Sequence, residues 1–329
     1  MNEFSSFLIH WFRSRIASGL SSITGWEVSL EPTSQQTDHL SRYLQGRPLA
    51  AWRDEFDTRG FVIFEKVLAP DQVARIRAAL APYLESGKKG RNDFEGLRTN
   101  RVYALLAKSP VFAELVIHPL VLAFAEAELG PDCLLSACLA INLHAGETVQ
   151  PWHYDDGAVQ APRPRPAFGM SAFWAIDDTT EINGATEVIP GSHLWGQERI
   201  EGAVKPADFA NDALRSVEDD PGARADAVKM TMPAGSLAIA KGTLWHRGGA
   251  NKSSQPRLIV TPQYCAGWVR QLENMILAVP PQLAAGLPER ACELLGYSIH
   301  PPFMGYVDGV HPKRVLSKAR SASAKSRNA

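Results

Sequence analysis

The chain has 329 residues, 45% of them hydrophobic and 21% charged, which excludes collagen-like, low-complexity and wholly disordered chains. Lys and Arg total 34 against 35 Asp and Glu, a formal charge of -1, so no general electrostatic drive toward nucleic acid or anionic lipid is expected. No apolar run reaches the roughly 18 residues of a transmembrane helix. The apolar patch at residues 4–12 lacks a basic leader and a small-residue cleavage site, so a signal peptide is not expected either. Residues 1–50 read as a helical extension on Phe7, Trp11 and Leu20, followed by a polar stretch over 31–38.

After Gly60, the run Phe-Val-Ile-Phe at 61–64 predicts a strand. Pro70 suits the first turn of a helix and Asp71 its dipole. Val73, Ile76, Leu80, Tyr83 and Leu84 continue at helical spacing, and Gly87 predicts the stop. Residues 110–129 predict a second helical stretch, bent or broken at Pro119.

The middle of the chain changes to strands, expected over 134–143, 168–176, 227–232, 236–240 and 258–264, with Pro and Gly in the gaps. Helices first and strands later predict a mainly β fold, a barrel or sandwich with flanking helices. One domain is expected over 51–316, with an insertion near 195–226 and a C-terminal cover over 268–312. The Ser/Ala/Lys/Arg-rich tail, 317–329, is expected to be disordered. The four cysteines, Cys133, Cys138, Cys265 and Cys292, show no metal-binding spacing. They read as reduced, buried thiols, which points to the cytoplasm.

The chemistry concentrates in segment 150–157, Gln-Pro-Trp-His-Tyr-Asp-Asp-Gly. On an extended strand His153 and Asp155 project from one face, offering an imidazole nitrogen and a carboxylate oxygen to one metal ion. Asp156 points away and takes no ligand role. Ninety-one residues beyond Asp155 stands His246, after the strand expected at 236–240, a candidate third ligand from a distant strand. Two His and one carboxylate leave one face of an ion open, which suits Fe(II) that must bind an organic co-substrate and dioxygen. Each His taken alone is more often a hydrogen-bonded barrel histidine. Arg257 opens the apolar run 258–261. A buried guanidinium needs an anion and grips a carboxylate with two parallel hydrogen bonds, either a nearby Asp or Glu or the far carboxylate of a dicarboxylate bound to iron.

With these residues the chain resembles the phytanoyl-CoA dioxygenase family of Fe(II)/2-oxoglutarate oxygenases. The matching residues are His153-Tyr-Asp155, the segment 183–193 (Asn-Gly-Ala-Thr-Glu-Val-Ile-Pro-Gly-Ser-His), Trp245-His246, Arg257, and an opening strand and helix over 60–73. The resemblance covers roughly residues 55–265. It implies a double-stranded β-helix (jelly-roll) core, His153, Asp155 and His246 as iron ligands, and Arg257 as the 2-oxoglutarate clamp. Trp174 matches an aromatic position beside the co-substrate. Asn142, on the strand expected at 134–143, is a candidate co-substrate contact or a barrel-interior amide. Implied reagents are Fe(II), 2-oxoglutarate, O2 and a small-molecule prime substrate: an acyl-CoA, a small metabolite or a natural-product scaffold. The implied reaction is hydroxylation of an unactivated C–H bond with release of succinate and CO2. Asp155 disfavours halogenation, because halogenating relatives carry a small residue there. A non-enzymatic jelly-roll protein, or a cupin-type metal protein that uses no 2-oxoglutarate, is the alternative. Arg101 and Tyr103 either reach the pocket or form a surface pair. His144 and His193 read as hydrogen-bonded structural histidines. His300, Phe303 and Tyr306 either cover the site or pack on the barrel. No stable membrane insertion is expected, and both monomer and homodimer stay open.

Overall fold

The computed structural model describes residues 40–85 and 89–327, the side chains as far as 321. The expected extension therefore lies outside the described residues up to residue 39, and so does the helix stop at Gly87. No described helix is long and apolar enough to cross a membrane.

Six strands form one antiparallel sheet. In chain order they are β1 (Phe61–Phe64), β2 (Thr99–Val102), β3 (Leu134–Leu143), β4 (Gly169–Ala175), β7 (Leu237–Lys241) and β9 (Arg257–Cys265). Their order across the sheet is β1-β7-β4-β9-β3-β2. A three-stranded antiparallel sheet, β6-β5-β8, is built from β5 (Glu187–Val188), β6 (Val228–Lys229) and β8 (His246–Arg247). One face of the large sheet packs on helices through Phe56, Ile76, Phe112, Phe124, Trp174 and Val260. Its other face meets the small sheet through Phe61, Phe173, Val188, Met230 and Ile259. Because both faces are covered, β4 reads Gly-Met-Ser-Ala-Phe-Trp-Ala and is buried at every position. The usual alternation of a half-exposed strand is absent for that reason.

The helical layer follows simple rules. In α1 (Leu49–Arg59) Trp52 and Phe56 are buried one turn apart. In α2 (Pro70–Leu84) the first turn begins at Pro70, and Gln72 Oε1 accepts the Ala69 N–H at 2.9 Å. A single turn, α3 (Leu105–Lys108), precedes the break expected at Pro119, which separates α4 (Val111–Val116) from α5 (Pro119–Leu129). Past β9 lie α6 (Met275–Ala278), α7 (Pro281–Ala284) and α8 (Glu289–Leu295).

The tail corrects the sequence reading. Residues 313–327 form helix α9 (Lys313–Arg327), where disorder was expected from 317. The segment contains neither Gly nor Pro, and Ala, Lys and Arg are good helix formers. Its first turn is held by buried Leu316 and by Lys313, whose Nζ lies 2.7 Å from Glu289 and 3.1 Å from Glu293. Arg320 Nε donates to the Ala285 carbonyl at 3.1 Å.

His118 caps α5, its Nδ1 accepting from Leu120 N at 3.3 Å. The ring lies between Tyr43 and Trp174, with centroids at 4.7 and 5.1 Å. Burial, aided by Arg42, pushes its pKa down to about 4. Protonation is then easier in the unfolded chain, so the stability this neutral ring preserves is complete above about pH 6.5 and lost as pH falls toward about 4. His118→Asn keeps a cap acceptor and removes the titration. Between those pH values the variant should lose less stability than wild type, by up to about 3 kcal/mol. Urea melts across that range check this, and parallel pH profiles would refute it.

Candidate metal centre

His153 and His246 face each other on neighbouring extended segments. The His153 N–H donates to the His246 carbonyl at 3.0 Å, and the return bond is 2.8 Å. The two rings are oriented alike. His153 Nδ1 lies 2.9 Å from the Pro151 carbonyl, and His246 Nδ1 lies 3.0 Å from the Leu244 carbonyl. A carbonyl only accepts, so each Nδ1 carries a proton, and in the neutral ring that leaves the lone pair on Nε2. Asp155 completes the group. Its Oδ1 is 3.9 Å from His153 Nε2 and 3.6 Å from His246 Nε2. Both gaps are shorter than the about 4.2 Å between donors on opposite sides of an ion bound at roughly 2.1 Å. These three side chains, the expected triad, are the one group among the described residues that could hold a metal ion.

Protonation favours such an ion. Burial, with His246 nearby, brings His153 down to about 4. For Asp155 burial raises the pKa. The imidazoles of His246 and His153, together with the Ser171 hydroxyl, outweigh it and leave the carboxyl below its usual value. Neutral imidazole and ionised carboxylate are the forms a divalent ion requires. Ser171 Oγ donates to Asp155 Oδ2, and Gln263 Nε2 donates to Ser171 Oγ at 3.5 Å. That relay ties down Oδ2 and leaves Oδ1 toward the histidines, the outer support that orients ligands.

The triad lines a cavity of about 770 Å³. Register explains its floor. Thr99 pairs with Leu143, which pairs with Arg257; Arg101 pairs with Ile141, which pairs with Ile259. Alternate residues of β2, β3, β9 and β4 therefore face one space. Arg257 is almost fully buried there. Its Nη2 donates to the Gly184 carbonyl, while Nε and Nη1 have no partner. Burial lowers its pKa to about 10, so it stays charged near neutrality. The alternative, an ion pair to a nearby Asp or Glu, is not found among the described residues. Gly184 has φ +87, and a Cβ there would stand 2.3 Å from Leu143 Cδ2; only glycine lets this backbone reach the guanidinium.

Two expected contacts are corrected. Trp174 is not part of the cavity wall. It packs in the helix-side core against His118, and Phe173 faces the cavity instead, 6.0 Å from the His246 ring. Asn142 also faces away, its Nδ2 3.4 Å from His144 Nε2, which in turn contacts Asn100 Oδ1. Both errors are one-residue parity errors on strands whose two faces are equally buried. His144 and His193 are hydrogen-bonded as expected, His193 Nε2 to the Asp57 carbonyl at 2.9 Å. Asp156 binds Arg165 through two 2.9 Å contacts. Phe303 and Tyr306 are exposed and line no part of the cavity. Ser171, Gln263 and Glu273 were missed. A lone polar residue within a buried strand is the signal that could have found Ser171 and Gln263.

A family model described as phytanoyl-CoA dioxygenase (PhyH) matches residues 56–259. The chain belongs to the phytanoyl-CoA dioxygenase family. The dioxygenase swnH1 of Arthroderma benhamiae is 24% identical over 321 residues, 89% of this chain and 98% of that one. The dioxygenase trt7 of Aspergillus terreus is 30% identical over 215 residues, 60% of this chain and 66% of its own length. The dioxygenase FUM3 of Gibberella moniliformis is 25% identical over 278 residues, 78% and 85% of the two chains. The protein is thus a dioxygenase of the PhyH family, and the family match spans all three residues of the triad and Arg257.

Proposed function

We propose that the protein is an Fe(II)/2-oxoglutarate-dependent dioxygenase. On this reading it hydroxylates an unactivated C–H bond of a small molecule and releases succinate and CO2, on a double-stranded β-helix core. The observation that carries the reading is one cavity holding two aligned Nε2 atoms, a carboxylate and a buried arginine with two unpartnered guanidinium nitrogens. His153 and His246 Nε2 and Asp155 Oδ1 would hold the iron, leaving part of its coordination sphere for reagents. Arg257 would take the far carboxylate of 2-oxoglutarate, since a buried cation with free donors is costly until an anion arrives. Iron with 2-oxoglutarate and dioxygen supplies the oxidising power. The protein supplies placement: the Ser171–Gln263 relay aims Asp155, the carbonyls of Pro151 and Leu244 aim the imidazoles, and Phe173 and Phe94 shield them. The insertion contributes Phe209, which packs on Phe94 with ring centroids 4.8 Å apart.

Anaerobic titration with Fe(II) and then 2-oxoglutarate tests the reading. A metal-to-ligand charge-transfer band is expected, and wild type without it under saturating conditions would end the proposal. Arg257→Met should weaken 2-oxoglutarate binding by roughly 10–100-fold, the worth of a lost charge-assisted bond, with Fe(II) affinity nearly unchanged. Unaltered 2-oxoglutarate affinity would remove Arg257 from the co-substrate site.

A further inference from the structure

The family match ends at residue 259. Beyond it stands a double turn that keeps apolar side chains in water. Every residue from 301 to 309 is exposed, Phe303, Met304, Tyr306 and Val307 among them. Phe303 is 64% and Tyr306 58% exposed. The turn is closed twice by backbone pairing. His300 and Met304 exchange hydrogen bonds of 3.0 and 2.9 Å, and Val307 and Val310 exchange a second pair of 2.9 and 3.0 Å. Exposed Trp268 stands at its base, next to Gly267, where a Cβ would lie 2.8 Å from His300 Nδ1. Surface loops are usually polar, and an exposed apolar cluster marks a contact surface.

A basic segment follows directly. Residues 309–329 contain six Lys or Arg and no Asp or Glu, in a chain of formal charge -1. On α9, Lys313 and Arg320 bond to Glu289 and the Ala285 carbonyl, and Leu316 beside them is buried. Arg314 and Lys318, one turn apart, lie on the other face. Both are exposed and have no acidic partner among the described residues. Turn and helix share one anchor. The Glu293 carbonyl accepts from Ser298 Oγ at 3.0 Å, and its carboxylate meets Lys313 Nζ at 3.1 Å.

We propose that this turn and the free face of α9 form a docking surface for an anionic lipid membrane. The aromatic tip enters the headgroup layer, and Arg314 and Lys318 meet the lipid charge. Such docking is peripheral and reversible, and it requires no spanning helix. Three features favour lipid over other polyanions. Met304 and Val307 gain from hydrocarbon and offer nothing to stacked bases. Trp and Tyr are the side chains that settle at a membrane interface. Five apolar side chains on a narrow turn fall short of the roughly 20–30 residues a side of a standard protein interface, whereas a membrane needs only a few inserted side chains and a cationic patch. The inference is independent of the oxygenase reading.

Cosedimentation of the full chain with vesicles tests it, using phosphatidylcholine alone and phosphatidylcholine with phosphatidylserine at about 7:3. Binding to the mixed vesicles should exceed binding to the neutral ones by at least about tenfold, and should fall as salt rises from about 0.1 to 0.5 M. Arg314→Ser combined with Lys318→Ser should weaken binding roughly 10–30-fold. Phe303→Ser combined with Tyr306→Ser should weaken it at least about tenfold, while Phe303→Leu keeps most of it. These side chains are exposed, so denaturant melts of the variants should match wild type. Three results would overturn the inference: no binding by wild type, equal binding to neutral and anionic vesicles, or unchanged binding in either double variant. A wild-type dimer in sedimentation velocity that Phe303→Ser makes monomeric would assign the turn to a second copy of the chain and overturn it as well.

Discussion

Asp155→Ala is expected to lose the Fe(II)/2-oxoglutarate charge-transfer band and succinate formation together. Asp155 would be the one anionic donor to the ion, with its Oδ1 3.9 and 3.6 Å from the two imidazole nitrogens. Its removal should cost more than the roughly 10–100-fold that loss of an outer-sphere partner brings. The fold should survive, because Asp155 sits at the cavity wall and not in the packed layers. Asp155→Asn is the companion variant: it keeps the shape and the oxygen that accepts from Ser171 while removing the charge. Equilibrium Fe(II) binding and succinate yield are the measurements. Wild-type iron affinity in Asp155→Ala would show that the cluster is not the metal site.

The second large effect concerns Trp174, and here the expectation is stability, not chemistry. The indole is fully buried among helix-side residues and touches His118. Trp174→Ala should destabilise the protein by about 3–5 kcal/mol, the usual cost of emptying an aromatic site in a core. Trp174→Phe should cost less, because it also deletes a buried indole N–H that has no acceptor. Neither should shift 2-oxoglutarate affinity by more than about twofold once the variant is folded. Denaturant melts measure the first claim and anaerobic titration the second. A Trp174→Phe variant with full stability and tenfold weaker 2-oxoglutarate binding would restore the sequence-based assignment.

These two residues mark how far the sequence can be read. His153 and Asp155 were legible because an extended chain forces i and i+2 onto one face, and no tertiary knowledge is needed for that. His246 was legible from its family match and its place after a Gly-bracketed strand. Trp174 was not, because β4 carries apolar residues at almost every position. With both faces buried, neither hydrophobicity nor alternation says which parity looks into the cavity. Only Ser171, the polar residue in that strand, carries the answer, and its meaning depends on Asp155 arriving from another segment. No strand was expected over β2 from the sequence. Thr-Asn-Arg-Val is four residues with two polar ones at its centre, too short a signal to predict by itself, and it becomes a strand because β3 offers it an edge.

The tail failed differently. Composition suggested disorder, yet a short anchor at Leu316 and Lys313 starts a helix that residues of good intrinsic propensity continue.

Taken alone, the sequence pointed to a dioxygenase family and to four candidate side chains, through local backbone periodicity and a family pattern that depends only on order and spacing. The tertiary structure decided what surrounds them: which parity of each strand lines the cavity, which carbonyls set the imidazole tautomers, and which of the buried arginines lack a carboxylate. Those are relations between residues far apart in the chain, fixed by strand register and by the packing of two sheets and a helical layer, and no local signal encodes them.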